Sequence, residues 1–341
     1  MRPDGAPERR ALVTGATGFL GARLVRRLLS DGVHVRVLAR SATTAKSLAD
    51  RGAETVVGDI TDRRAVRDAL SDDVMVVYHL AGKLLIPGVP AAEYHKTHVE
   101  GTNVLLACCQ GKSRLERFVH CSTTGVVGVT GERPADEKAP FHPTNIYEAT
   151  KAEAELAVRD TWQAGFPAAI VRPGLVYGPG DLHLLGFFRS ILRHQFRPIG
   201  RRPVWLHPIY IDDMTEALVR CGQHPAAVGE CFHIAGTEPV ALEGLATEIA
   251  RVGGTSLPRG HIPLPAARAL AAVADRLPEN LQRAAPLTGS RLEFLTHSRV
   301  YNVAKARRVL GFNATTDLST GIERTMAWYC EQRQLPAGRP S

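Results

Sequence analysis

RALVTGATGFLGARLVRRLLSDG, residues 10–32, decides the fold. Its first five residues are mostly apolar and break at Gly15, after which Leu20, Leu24, Val25, Leu28 and Leu29 recur on one helical face. The order is strand, glycine turn, helix. In that context Gly15, Gly18 and Gly21 acquire separate jobs: a tight turn, close backbone approach to a pyrophosphate at the helix N-terminus, and close packing of helix on strand. Thr17, Phe19 and Leu20 lie in the same turn and join the glycines as expected dinucleotide-binding residues.

Outward from this stretch, VHVRVLA (33–39), AETVVGD (53–59), VMVVYHLAG (74–82), RFVHCST (117–123) and PAAIVRPG (167–174) are further apolar runs separated by helix-length segments. Such alternation predicts an α/β fold, a doubly wound parallel sheet with helices on both faces. After Pro173 the texture changes to GLVYGPGD and the arginine-rich FFRSILRHQFRPIGRRP, and HPIYID (207–212) is expected to return to the sheet as a strand. Beyond about 237 the sequence suggests two helical stretches, the linker SLPRGHIPLP and a closing SRVYNVAKARRVLGF. The expected division is a dinucleotide-binding domain over 1–175 with a return segment 207–235, and an interleaved substrate lobe over 176–206 and 236–341.

The chain has 42 Lys and Arg against 34 Asp and Glu, a formal charge of +8. The basic residues are scattered and not interleaved with aromatics, so an anionic small ligand or a solvated surface accounts for them and nucleic acid is not expected. Six cysteines without Cys-x-x-Cys spacing argue for reduced thiols, with no zinc site and no disulfide scaffold. No apolar run reaches spanning length and MRPDGAPERR has no signal-peptide core, so a cytoplasmic protein without membrane insertion is expected. His95 and His98 lack a third ligand, Asp212 and Asp213 suit a helix start, and no Gly-x-Ser-x-Gly elbow is present. The metal expectation is none.

At the end of the second strand, Arg40 stands where an acidic residue would bind the adenosine ribose. An arginine there favours a 2′-phosphate, so NADP(H) is expected in preference to NAD(H), which stays possible. Asp59 ends the third strand where the adenine edge should lie, beside Ile60, although it could also cap a helix beginning near Thr61.

Two tyrosines stand four residues before a lysine: Tyr147–Lys151 in NIYEATKAE and Tyr301–Lys305 in VYNVAKAR. The first pair lies inside one predicted helix, where i and i+4 share a face and the ammonium can favour phenolate. Tyr301 precedes its helix, which Asn302 caps and Gly311 ends, so it is read as structural. A tuned tyrosine can donate a proton to a carbonyl oxygen or take one from an alcohol. Ser122, Thr123 and Thr124, at the carboxyl end of the fifth strand, are candidates to hold that oxygen.

Together TGATGFLG (14–21), GDITD (58–62), HLAG (79–82), STTGVVG (122–128), Tyr147-x-x-x-Lys151 and VRPGLVYGPG (171–180) resemble the extended short-chain dehydrogenase/reductase family. The resemblance makes Thr123 the catalytic hydroxyl, Tyr147 the acid/base and Lys151 the group that tunes it and binds the nicotinamide ribose. It places Leu80, Ala81 and Gly82 along the cofactor, Pro173, Gly174 and Val176 near the nicotinamide, and it implies a homodimer. Thr124-Gly125 replaces the Asp-Glu of sugar-nucleotide dehydratases, and His98 stands in a region where many epimerases have Asn. The closer likeness is to 3β-hydroxysteroid dehydrogenase-like and dihydroflavonol reductase-like members.

The expected function is therefore an NADP(H)-dependent interconversion of a secondary alcohol and a ketone on an apolar small-molecule substrate. A nucleotide-sugar 4-epimerase using the same residues and a non-catalytic NADP(H) sensor are the alternatives. Lys83, Thr124, Leu184, Phe187 and Phe188 are the candidate substrate-binding residues; the segments 83–92, 181–206 and 258–297 are the expected walls.

Overall fold

The computed structural model describes residues 9–278, 281–282, 285 and 287–335; the leading MRPDGAPE lies outside them. The strands in chain order are β1 (Arg10–Thr14), β2 (His34–Ala39), β3 (Glu54–Val57), β4 (Val76–His79), β5 (Arg117–Cys121), β6 (Ala168–Pro173), β7 (Leu175–Tyr177), β8 (Trp205–Leu206), β9 (Pro208–Tyr210), β10 (Glu230–Ile234) and β11 (Val240–Ala241). The helices up to the sheet's last strand are α1 (Phe19–Ser30), α2 (Ala42–Ala49), α3 (Arg63–Ala69), α4 (Ala91–His95), α5 (Gly101–Cys109), α6 (Ile146–Gln163), α7 (Leu185–Leu192) and α8 (Ile211–Gln223). A π-helical turn, Lys96–Glu100, joins α4 to α5.

Seven strands make one parallel sheet in the order β10-β6-β5-β4-β1-β2-β3. Strand order reverses between β1 and β4, so a crevice opens above their carboxyl ends. β4 and β6 are buried along their whole length, as strands covered on both faces must be. From α1, Gly21, Leu24, Val25 and Leu28 are buried, and Leu24, Val25 and Leu28 join the core with Val13, Val35 and Val37.

The seventh strand corrects one expectation. Residues 207–212 do not enter the large sheet: Pro208–Tyr210 pairs with β7 in a two-stranded ribbon, and α8 begins at Ile211. A parallel neighbour of β6 needs a crossover first. α8 supplies it, and ECFHI (230–234) then pairs with β6. Asp212 and Asp213 occupy the first turn of α8; Asp212 binds Arg23 of α1, and Asp213 accepts from Thr315 and Thr316.

The second lobe also departs from the two helices expected after 237. It carries α9 (Leu242–Val252), α10 (Leu264–Ala274), α11 (Gly289–Thr296), α12 (Ala304–Leu310) and α13 (Leu318–Glu331). Its own core joins Phe188, Ile191, Leu206, Leu245, Ile249, Ile322 and Tyr329. Proline punctuation and alanine-rich faces hide these helices from a periodicity search. The six cysteines are free thiols. Among the described residues no helix is long and apolar enough to cross a membrane, and no His/Cys/Asp/Glu cluster could hold a metal.

Candidate active site

The glycine turn opens the crevice. Gly15 has φ +72°, and a Cβ there would stand 2.6 Å from the backbone of Leu80 and Ala81. A Cβ on Gly21 would stand 2.1 Å from the Gly15 carbonyl oxygen, so the third glycine lets α1 seat on the turn. α1 starts at Gly18 with no side-chain cap and no acidic residue in its first turn. Its free N–H groups and positive dipole end form a cradle for a diphosphate. Thr17 and Gly18 are exposed there, Leu20 is partly buried, and the Phe19 ring packs 3.2 Å from where a Gly180 Cβ would be.

A line of buried hydrogen bonds then fixes β1 against β4. Ala81 N–H donates to Thr14 Oγ1 (3.2 Å), Thr14 donates to His79 Nδ1 (2.8 Å), and His79 Nε2–H donates to Thr102 Oγ1 (2.8 Å). Thr102 donates its own hydrogen bond to the His98 carbonyl, which settles the His79 tautomer. Burial, with Lys151 and His98 adding to it, pulls the His79 pKa down to about 3 and keeps this ring neutral.

Arg40 is exposed at the carboxyl end of β2, with Ser41 capping α2 behind it. The guanidinium makes no ion pair among the described residues, so it is available to a phosphate. Asp59 is turned inward instead: its carboxylate accepts from Thr61 N–H (2.9 Å) and Thr61 Oγ1 (2.7 Å). Burial acts to raise its pKa, but those two bonds, with Lys96 and Arg40, bring it below the ordinary value. Asp62, not Asp59, caps α3. Ile60 is buried, with its methyl 2.6 Å from where a Gly101 Cβ would be, so its side chain belongs to the core.

At the end of β5 three hydroxyls face different partners. Ser122 donates to Glu155 (2.6 Å) and Thr124 donates to the Pro173 carbonyl (2.9 Å). Thr123 Oγ1 accepts from Gly125 N–H (3.0 Å), which leaves its own proton for another acceptor. Of the three, only Thr123 also acts on the Tyr147 phenol as a hydrogen-bonding neighbour.

Asn145 caps α6 by accepting from Glu148 N–H, and the helix presents Tyr147 and Lys151 one turn apart. The expected tuning of the phenol by the ammonium is not seen. Burial raises the Tyr147 pKa above its ordinary value, with the Cys121 thiol adding to the rise and Thr123 opposing it. Lys151 reaches past the ring to the end of β5, where its Nζ donates to the Cys121 carbonyl (2.5 Å). Burial pulls the Lys151 pKa down, against Cys121 and Glu155. The phenol in this state keeps its proton.

Behind them His98 sits in the π-helical turn, its ring edge-on to Tyr147 with centroids 5.6 Å apart. Its Nε2 accepts from Lys83 N–H (2.9 Å), so Nδ1–H donates to Thr150 Oγ1 (2.8 Å), and Thr150 donates to the Ile146 carbonyl. Burial, then Lys151, lowers its pKa to about 3. Below α6, Glu155 and Arg172 form an ion pair (2.7 Å) with both side chains fully buried, and Arg172 donates on to His233.

Thr123, Tyr147 and Gly174 line a cavity of about 220 Å³ with Leu84, Leu85, His183, Leu206, Ser290, Phe294 and Arg299. Thr124 is in its wall as well. Gly174 keeps the floor low: a Cβ there would meet the His207 carbonyl at 2.6 Å. Pro173 is buried beside it, and Val176 pairs with Ile209 in the ribbon. Leu80, Ala81 and Gly82 lead from β4 toward the cavity, and Gly82 lies beside His98. A larger open groove of about 520 Å³, lined by Lys112, Asp160 and Phe166, lies at the amino ends of β5 and β6, away from the side where parallel sheets bind ligands.

Four expected substrate contacts are relocated. Leu184 and Phe188 are buried in the second lobe's core, and Phe187 packs edge-to-face on Phe196 at 5.1 Å, because the apolar face of α7 is covered by α9 and α13. Lys83 points away to Glu93 (3.0 Å). Their places in the wall are taken by Leu84, Leu85, Leu206 and Phe294. Tyr301 is the reverse case: its position before a helix reads as structural, and it lines the same cavity. Bridging of Tyr301 to Ala135 and stacking on His207 at 6.3 Å bring it there, with Thr124 and Arg299 as the polar neighbours of its buried hydroxyl. Lys305 turns away to Glu230 (2.5 Å). Arg299, two residues earlier, binds Glu148 (2.9 Å) and Glu293 (2.6 Å), tying α11 to α6.

Fold and site together define a dinucleotide-dependent oxidoreductase of the doubly wound class, with a hydroxyl–phenol–ammonium set above the sheet. The profile of the NAD dependent epimerase/dehydratase family matches residues 11–235, and the chain belongs to that family. A 4-hydroxy-2-methyl-3-oxo-4-farnesyl-3,4-dihydroquinoline-1-oxide ketoreductase of Stigmatella aurantiaca is 29% identical, over 92% of this chain and 95% of its own. A 3 beta-hydroxysteroid dehydrogenase/Delta 5-->4-isomerase of Mycobacterium tuberculosis is 28% identical, over 94% and 90%. The UDP-glucose 4-epimerase of Thermotoga maritima, solved with UDP-glucose, superposes with a TM-score of 0.75 at 20% identity, over 95% of this chain and 99% of that one. The chain is an enzyme with a nicotinamide dinucleotide cofactor.

Proposed function

We propose that this enzyme is an NADP(H)-dependent ketoreductase that interconverts a secondary alcohol and a ketone on a largely apolar skeleton. The observation that carries the reading is the charge of the cavity wall. Arg299 is the only Lys or Arg lining it among the described residues, and Glu148 and Glu293 neutralise it. A sugar nucleotide would bring a diphosphate into a site with no free cation, whereas a ketone on a hydrocarbon frame suits Leu84, Leu85, Leu206 and Phe294. The activities of the farnesyl-quinoline and steroid relatives support the same substrate class.

Thr123 would hold the substrate oxygen with the proton that Gly125 N–H leaves free. Tyr147, kept protonated by burial, would donate to the same oxygen, and Lys151 would fix the ribose side of the site from the Cys121 carbonyl. A bound nicotinamide supplies the hydride. Exposed Arg40 supports NADP(H) over NAD(H), and Arg40→Asp should reverse that preference in measured dissociation constants.

The test of the function is the absorbance of NADPH with time in the presence of alkyl, prenyl-aryl and steroid ketones and of UDP-sugars. Sustained oxidation with an apolar ketone is expected. A flat trace with a sugar isomer accumulating would replace the reading by an epimerase. A cytoplasmic homodimer pairing through α6, whose Leu156 is 49% exposed, completes the proposal and is checked by light scattering.

A further inference from the structure

α10 faces the wrong way for a surface helix. It buries Ala267, Ala271 and Ala274 and exposes Leu270 at 60% and Val273 at 59%. Ala266, Leu270 and Val273 follow the i, i+4, i+7 spacing of a single stripe, and exposed Leu277 and Leu281 extend the apolar surface past the helix end. Single exposed leucines are ordinary, but a row of them over a small-residue face marks an interaction surface.

Next to the start of α10 lies a basic cluster. Gly200 N–H donates to the Ile262 carbonyl (2.9 Å) and Ile262 N–H to the Pro198 carbonyl (2.8 Å), which joins segment 197–202 to segment 259–263. Arg197, Arg201, Arg202 and Arg259 in these segments are exposed and make no ion pair among the described residues; Glu243 there meets His261 at 3.3 Å. On its other side α10 abuts α11, where Gly289 N–H donates to Asp275, and α11 supplies Ser290, Glu293 and Phe294 to the cavity. Exposed Leu84 also lines that cavity, and exposed Leu182 adjoins its His183.

We propose that this face docks on an anionic lipid bilayer, with Leu270 and Val273 entering the headgroup boundary and the four arginines meeting the headgroups. An apolar substrate could then pass from lipid to the cavity along α11; that last step, and only that step, rests on the ketoreductase reading. The arrangement is that of an interfacial helix, not a spanning one. A second copy of the chain fits less well. A stable dimer buries about 800 Å² on each partner, more than Leu270, Val273, Leu277, Leu281 and a few alanines offer, and a two-fold axis near the cluster would oppose arginine to arginine.

The experiment is co-sedimentation of the full-length protein with phosphatidylglycerol-containing vesicles and with pure phosphatidylcholine vesicles. Binding to the anionic vesicles should be about tenfold tighter and should weaken with added salt. The double variants Leu270→Asp/Val273→Asp and Arg201→Glu/Arg202→Glu should each weaken it by about tenfold or more. Their unfolding temperatures monitor folding, and Leu270→Ser and Arg202→Gln replace a variant that does not fold. No binding by the unaltered protein, binding by the variants as tight as that of the unaltered protein, or a dimer broken by the α10 variant overturns the proposal. Binding is read without ketone or NADPH, so a vesicle binder that reduces no apolar ketone refutes the ketoreductase reading and leaves the docking standing.

Discussion

Tyr147–Lys151 and Tyr301–Lys305 share a spacing and a cavity wall, yet they have opposite second halves. Lys151 is buried and donates to a strand-end carbonyl beside the crevice; Lys305 lies on the outer side, paired with Glu230 over the Phe232 ring. Tyr147 lies inside α6, one turn from Lys151, and Tyr301 lies before α12, held by Ala135 and His207. The difference teaches that a four-residue interval has chemical meaning only when one helix carries both residues toward one site.

The largest effect should separate the two phenols. Tyr147→Phe is expected to lower turnover by about a thousandfold or more while cofactor affinity stays, and Tyr301→Phe to cost less than about tenfold and mainly in KM. Equal losses in a steady-state comparison would end the distinction. The two lysines come next. Lys151→Met should reduce kcat by about a hundredfold and weaken cofactor binding. Lys305→Met should leave kcat alone and lower the unfolding free energy by about 1 kcal/mol, read by urea titration.

His98 should sharpen the comparison by a smaller margin. Its ring joins the Lys83 amide to Thr150 behind Tyr147, so His98→Ala is expected to lower kcat about tenfold and leave KM for cofactor near its original value. His98→Asn, which keeps a donor and an acceptor, should restore most of that loss; no restoration would reduce His98 to a space-filling role.

One effect is shared by the two regions and is read in stability, not in turnover. Burial, before any charge, holds His98 behind Tyr147 and His233 behind Tyr301 near pKa 3, far below an ordinary histidine. Between pH 6.5 and about 3 the unfolded chain therefore binds protons that the folded chain refuses. Stability is full above pH 6.5 and should fall on acidification by about 1 kcal/mol per pH unit for each such histidine. Denaturation at stepped pH checks it, and His233→Gln should flatten the slope.

Much of the fold was legible because the inner strands, β4 and β6 above all, are covered on both faces and are therefore nearly unbroken apolar runs, while β3 at the sheet edge is only partly covered. The glycine turn was legible because only glycine tolerates φ +72° at Gly15 and the close approach at Gly21. The seventh strand was missed because HPIYID looks as strand-like as ECFHI, and only the crossover by α8 chooses between them. Leu184, Phe187 and Phe188 were misplaced for a related reason: an apolar residue near a site and one in a core have the same composition. Phe294 lies inside the expected wall segment 258–297 and Arg299 just beyond it, but neither has a local signal that singles it out.

By itself the sequence determined the layer order, the cofactor turn, Arg40 at the end of β2 and the helix that carries Tyr147 and Lys151. Each of these depends on neighbours in the chain, through periodicity, turn geometry or the spacing of a helical face. Only the tertiary structure decided that Thr123 is the free hydroxyl of its three, that burial raises the Tyr147 pKa and that Tyr301 enters the cavity. It also decided that Arg299 is already neutralised and that α10 shows its large apolar residues to solvent. These depend on burial and on partners far away in sequence, and hydrogen bonds, desolvation and ion pairs exist only once the chain has brought those groups together.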